Sequence, residues 1–138
     1  MKKIFISVFL LFSFLFANES IHWVKDYKKA FETAKKEHKL LFVDISVHHC
    51  PPCWYLANIV YKYPPVIEYI NKHFVPMFYF ADTDRVPIAF SPYFTGAAPN
   101  VLLITPGDKL YYRIFGSRPA KIFLKTLQNI NQKYQKGK

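Results

Sequence analysis

The chain has two cysteines, Cys50 and Cys53, and with Pro51 and Pro52 between them they form one C-x-x-C. A bridge between them closes so small a loop that chain entropy gives it only about 2 kcal/mol, against about 4.7 kcal/mol for a 100-residue loop. Stapling a fold is a poor use of such a pair, and reactivity or metal binding explains it better. The surroundings favour redox chemistry. Leu40 to Ser46 is a short apolar run without alternation, the pattern of a strand buried on both faces. Cys50 follows after a short loop, and Cys53 leads into Trp54-Tyr55-Leu56-Ala57, read as a helix. Free N–H groups and the dipole at a helix N-terminus stabilise a thiolate there. Cys50 is then the exposed attacking thiol, and Cys53, one turn on, resolves the mixed disulfide.

The elements that must position this pair read as follows. Trp23 to Lys39 is expected to be helical, with Val24, Tyr27, Ala30, Phe31 and Ala34 on one stripe. After the active-site helix, Pro64-Pro65 opens a second one, with Val66, Ile67, Ile70 and Phe74 inward. Phe74 to Phe80 is a strand with Pro76 near its start, where a lost N–H matters least. Pro87 and Pro92 forbid a long helix between Asp82 and Gly96. Val101 to Thr105, a turn at Pro106-Gly107-Asp108, and Leu110 to Phe115 form a hairpin. Pro119 opens a last helix with Phe123, Leu127, Ile130 and Tyr134 on one face, and the polar tail from Lys133 to Lys138 is expected to fray. Strands and helices intermix, so the expected fold class is α/β, a central mixed sheet with helices on both faces.

At 138 residues and 51% apolar, the chain is one ordinary globular domain, and collagen-like, repetitive and disordered classes are excluded. Met1-Lys2-Lys3 followed by the apolar run Ile4 to Phe16 and Ala17 reads as a secretory signal peptide over residues 1–17, with the domain proper at 18–138. Leu15 departs from the small residue preferred three positions before a cut, so an uncleaved anchor is the alternative. Export, to a compartment such as a bacterial periplasm, suits a redox-active pair. The net charge is +10, with no basic run interleaved with stacking aromatics, so nucleic acid is not an expected partner.

Three features together resemble the thioredoxin superfamily: Val43-Asp44, then Cys50 six positions after Asp44, then Ala98-Pro99 before a strand. Trp23, Ala30, Ala34-Lys35-Lys36-Glu37, Lys39 to Asp44, Pro65-Val66-Ile67, Asn71 and Phe74-Val75-Pro76 are similar, more narrowly, to an exported thioredoxin-like group with an extra helix after the active-site helix. That group includes the periplasmic C-terminal domain of the transmembrane disulfide reductase. The resemblance spans Trp23 to Tyr134. It implies a thioredoxin fold with Cys50, Cys53, Asp44 and Pro99 as catalytic residues. Asp44 would be a buried carboxylate taking the proton from Cys53. Its alternative is a strand-end residue hydrogen-bonded in place. Pro99 would be a cis proline facing the cysteines, with a trans strand-edge proline as the alternative. Ala98, whose backbone could pair with an extended segment, joins His49 and Pro51 as expected substrate contacts.

The departures set the expected direction. His49 and Ser46 stand where the family often has aromatics, and Pro51 is unusual. Neither proline can donate an N–H to the Cys50 sulfur, and no charged residue lies between the cysteines, so the couple should be reducing. His48 and His49, if protonated near the sulfur, would oppose this. The expected activity is therefore exported thiol:disulfide exchange, reducing protein disulfides without a cofactor, in a monomer recharged by a membrane thiol donor. The alternatives are an oxidase or isomerase of the same fold, and a non-enzymatic copper-chaperone-like module using His48, His49, Cys50 and Cys53. Phe90, Tyr93 and Phe94 are either core or a substrate face.

Overall fold

The computed structural model describes residues 19–138, so the signal-peptide expectation lies outside the described residues. Helix α1 (Tyr27–Glu37) leads into strand β1 (Leu40–Ser46), and helix α2 (Pro51–Asn58) follows the active-site loop. A 3-10 turn (Val60–Lys62), helix α3 (Pro64–His73) and strand β2 (Phe74–Phe80) come next. After an irregular stretch come strands β3 (Asn100–Ile104) and β4 (Leu110–Phe115), and helix α4 (Ala120–Lys136) ends the chain. The sheet order is β2-β1-β3-β4, with β1 parallel to β2 and antiparallel to β3. This is the α/β fold that the resemblance implied, with α3 as the extra helix.

β1 is buried at every residue because both faces of the sheet are covered. Successive side chains of a strand point to opposite faces. Leu40 and Phe42 accordingly enter a core beneath α2, α3 and α4, where they meet Leu56, Ile70 and Phe123. Leu41, Val43 and Ile45 enter a second core with Ala30 and Ala34 of α1. Those two alanines let α1 lie close on the sheet. Asp44 falls on the Phe42 face, as a polar group inside the larger core.

Three expectations need correction. The helix starts at Tyr27, not Trp23, because Asp26 caps it by accepting from the Lys28 and Lys29 N–H groups at 2.9 and 3.2 Å. The preceding residues are irregular instead, with the Trp23 N–H turned to the Ile21 carbonyl at 3.0 Å. The Val24 N–H donates to the Pro76 carbonyl at 2.8 Å. Ile21 and Trp23 pack into one core and Val24 into the other, an alternation a helical stripe does not produce. Phe74, read both as the last inward residue of α3 and as the first of a strand, belongs to the strand and opens β2. The tail is helical to Lys136 and not frayed. His38 sits in the left-handed region at φ 54° after α1, and its carbonyl accepts from the Gln135 side chain at 3.3 Å and from the Lys138 ammonium. Of the aromatics in the irregular stretch, Phe90 is fully buried and Tyr93 and Phe94 pack against the same core, so the core alternative holds for them.

Candidate active site

β1 delivers the chain to a three-residue loop, Val47 to His49, and Cys50 then takes the N-cap of α2. Prolines fit the next two positions, because first-turn N–H groups have no intrahelical partner to lose. Their cost to the site is chemical. Pro51 and Pro52 have no N–H, so the first donor the helix offers is that of Cys53, which reaches the Cys50 sulfur at 3.3 Å. The Trp54 N–H is occupied by the Cys50 carbonyl at 2.9 Å. The two sulfurs are bonded, with the Cα atoms 5.2 Å apart. Cys53 is 4% exposed, whereas Cys50 is half-buried and open to one side.

The loop before β3 closes in on the same sulfur. The Ala98–Pro99 peptide is cis. The Ala98 carbonyl oxygen stands 3.9 Å from Cys50 Sγ, so the structure brings Cys50 and the Ala98-Pro99 step together, as the sequence suggested. Pro51, at the first position of α2, and His49, in the left-handed region at φ 53°, lie beside Cys50 along an open cleft.

Asp44 is wholly buried. Tyr61 donates its hydroxyl to Oδ2 at 2.5 Å, and Ser46 donates to Oδ1 at 2.8 Å. Burial lifts the Asp44 carboxyl from 3.8 to about 6, against the two hydrogen bonds, which hold it down. Burial, then the Asp44 charge and hydrogen bond, hold the Tyr61 phenol well above its ordinary range. The carboxylate is thus hydrogen-bonded in place, as the structural alternative had it, and its proton affinity is also raised into the range of a proton acceptor near neutral pH. Its bonds go to hydroxyls rather than to a sulfur. Its donor Ser46 lines the same cleft as Cys50 and Cys53.

Sequence reasoning missed Tyr61. No local pattern marked it, since the contact joins residues 17 apart through the turn after α2. Tyr61→Phe keeps the ring and removes the hydroxyl that lowers the Asp44 pKa. The carboxyl should then titrate higher than in the unmodified chain, read from the protonated-carboxyl infrared band as pH is raised. An unmoved midpoint would show that the hydroxyl does not set it.

The histidines are arranged differently from one another. His48 is held by Asp82: its N–H and Nδ1 meet the Asp82 carboxylate at 3.1 and 3.0 Å, and its ring stacks on Phe80 at 4.0 Å between centroids. His49 is exposed. Among the described residues no three His, Cys, Asp or Glu side chains converge as a metal-binding group.

Comparison with known proteins agrees with this geometry. A family model named for DsbH-like thioredoxins, described as "Protein of unknown function, DUF255", matches residues 7–106. An H-type thioredoxin of Brassica campestris is 26% identical over 108 residues, covering 78% of this chain and 82% of that protein. The solution structure of a thioredoxin from Thermus thermophilus matches with a TM-score of 0.67 and 26% identity, over 80% of this chain and 87% of that one. The oxidised DsbD C-terminal domain of Neisseria meningitidis, 21% identical, shares the fold at a TM-score of 0.60, over 78% of this chain and 97% of that one.

Proposed function

The chain belongs to the DsbH-like thioredoxin family, and from that premise we propose that it is an exported reductase of protein disulfides. Thiol:disulfide oxidoreductase chemistry goes with the family and the bonded cysteine pair.

In the reduced protein the Cys50 thiolate attacks one sulfur of a substrate disulfide. A Cys50–substrate bond forms, and the other substrate sulfur leaves as a thiolate and takes up the proton Cys50 had released. Cys53 gives its proton to Asp44 and attacks Cys50 Sγ. The Cys50–Cys53 bond forms, the mixed disulfide breaks, and the second substrate sulfur leaves with that proton. Two electrons and two protons pass to the substrate. Ala98, beside the sulfur, offers backbone to an extended substrate segment, flanked by Pro99, His49 and Pro51. A dithiol spent in an oxidising compartment must be regenerated, so a membrane thiol donor completes the cycle. Residues 1–17 serve as the export signal and 18–138 as a monomeric working domain.

The observation that carries the reducing direction is the shortage of donors at Cys50 Sγ. One backbone N–H reaches it, both dipeptide positions are prolines, and His48 is committed to Asp82. A weakly stabilised thiolate makes the dithiol the stronger reductant. The test is reduction of insulin disulfides by the pre-reduced protein, which should proceed in proportion to added dithiol. Insulin left intact would contradict the proposal. Pro52→His adds a donor beside the sulfur. It should make the couple more oxidising by tens of millivolts, at about 1.4 kcal/mol per 30 mV, measured by equilibration against glutathione. A shift in the reducing direction would count against this account of the poise.

A further inference from the structure

A small residue, Ser46, lines the cleft beside the cysteines. Ser46 ends β1 fully buried, in register with Phe80 of β2, and its hydroxyl is turned to Asp44. Beyond it, a space of about 510 Å³ lies between α2 and the end of β2. Pockets that take small ligands fall at about 300–1,000 Å³, so a single large side chain fits within this space. Trp54, Ala57, Phe78 and Phe80 line it, and it reaches both Cys50 and Cys53. Phe78 and Phe80 meet edge to face at 4.9 Å, and the His48 ring, held by Asp82, stacks on Phe80. The walls are therefore pre-formed. Trp54 is nonetheless 62% exposed, a large apolar surface beside a reactive sulfur.

Covalent chemistry decides what can occupy this space. Resting on the reductase reading, exchange passes through a bond between Cys50 Sγ and a substrate sulfur. That bond holds the substrate cysteine's Cα about 5.5–6 Å from that of Cys50. The next residue's Cα lies only about 3.8 Å further along the chain. Residues flanking the substrate cysteine are thereby brought to the surfaces around Cys50, of which the aromatic-walled cleft is one. We infer that the cleft is a specificity pocket for an aromatic or large aliphatic side chain adjacent to the reactive cysteine of an extended substrate segment. No carboxylate or ammonium lines it, His48 is paired with Asp82, and Trp54, Phe78 and Phe80 present rings, so burial of apolar area rather than charge provides the selection.

The test uses two peptide disulfides that differ only in carrying Phe or Gly on both sides of the cysteine. Second-order rate constants with the pre-reduced full chain are divided by those with dithiothreitol, which removes the peptides' own reactivity. The Phe peptide should react about tenfold faster, equivalent to about 1.4 kcal/mol. Ala57→Phe, which fills the cleft, and Phe80→Ala, which removes a wall, should each bring the ratio to within about twofold of one. Equal rates for the two peptides with the unmodified protein, or an undiminished preference in both variants, would overturn the specificity pocket. Failure to reduce either peptide would overturn the reductase reading, and the pocket with it.

Discussion

Cys53→Ser accumulates a mixed disulfide between Cys50 and its substrate, whereas Cys50→Ser forms none and loses disulfide reduction by several orders of magnitude. The asymmetry follows from where α2 puts the two sulfurs. Cys50 caps the helix half-buried, with the Cys53 N–H 3.3 Å from its sulfur. Cys53 lies inside the first turn at 4% exposure, out of reach of a protein-sized disulfide. A thiolate can attack only where it is both formed and accessible. Once Cys53 is gone, the first step proceeds and the second has no nucleophile. Insulin or a peptide disulfide, quenched with acid and resolved by non-reducing mass spectrometry, reports the adduct. Adducts of equal yield from both serine variants would reverse or dissolve the assignment.

Asp44→Asn slows resolution of the mixed disulfide by on the order of 10²-fold near neutral pH, the usual scale for loss of a positioned proton acceptor, and it stabilises the fold at the same pH. The second effect follows from linkage. Burial raises the Asp44 carboxyl from 3.8 to about 6 in the folded protein. Between those values the folded chain binds a proton that the unfolded chain has released, so stability falls as pH rises through the window and levels off above about 6. The drop corresponds to about 3 kcal/mol at 1.36 kcal/mol per pKa unit. Asparagine has no charge to desolvate, and the Tyr61 and Ser46 hydroxyls can turn to meet its amide. Denaturation of both proteins at pH 4 and pH 7.5 measures the difference, which should widen with pH in favour of the asparagine variant. Parallel stabilities would remove the buried charge from the account, and an unchanged resolution rate would return Asp44 to a purely structural role.

The sequence made the order of elements legible because each carried a local signal. β1 declared two-sided burial by its unbroken apolar run, and Pro64 and Pro119 marked helix starts. The cysteines were legible by type and spacing, and Ala98-Pro99 through the family resemblance. What was not legible depended on contacts across the fold. Trp23 and Val24 fit a helical stripe, and only the Pro76 carbonyl and the two separate cores show why the chain is not helical there. The tail looked polar and loose until the left-handed His38 offered its carbonyl to α4. Tyr61 reaches Asp44 through the turn after α2, which no periodicity marks. Ser46 was visible as a departure from a frequent aromatic. The cleft it lines exists only where α2 meets the end of β2.

The central claim is that a disulfide enclosing two prolines, with one backbone donor at its attacking sulfur, forms a reducing couple. Equilibration of the unmodified protein with glutathione buffers of graded ratio, the two forms separated after acid quench, measures this directly. The account predicts a midpoint well below about −200 mV, toward the thioredoxin value of about −270 mV. A midpoint near about −120 mV, the region of a strong oxidase, would contradict it.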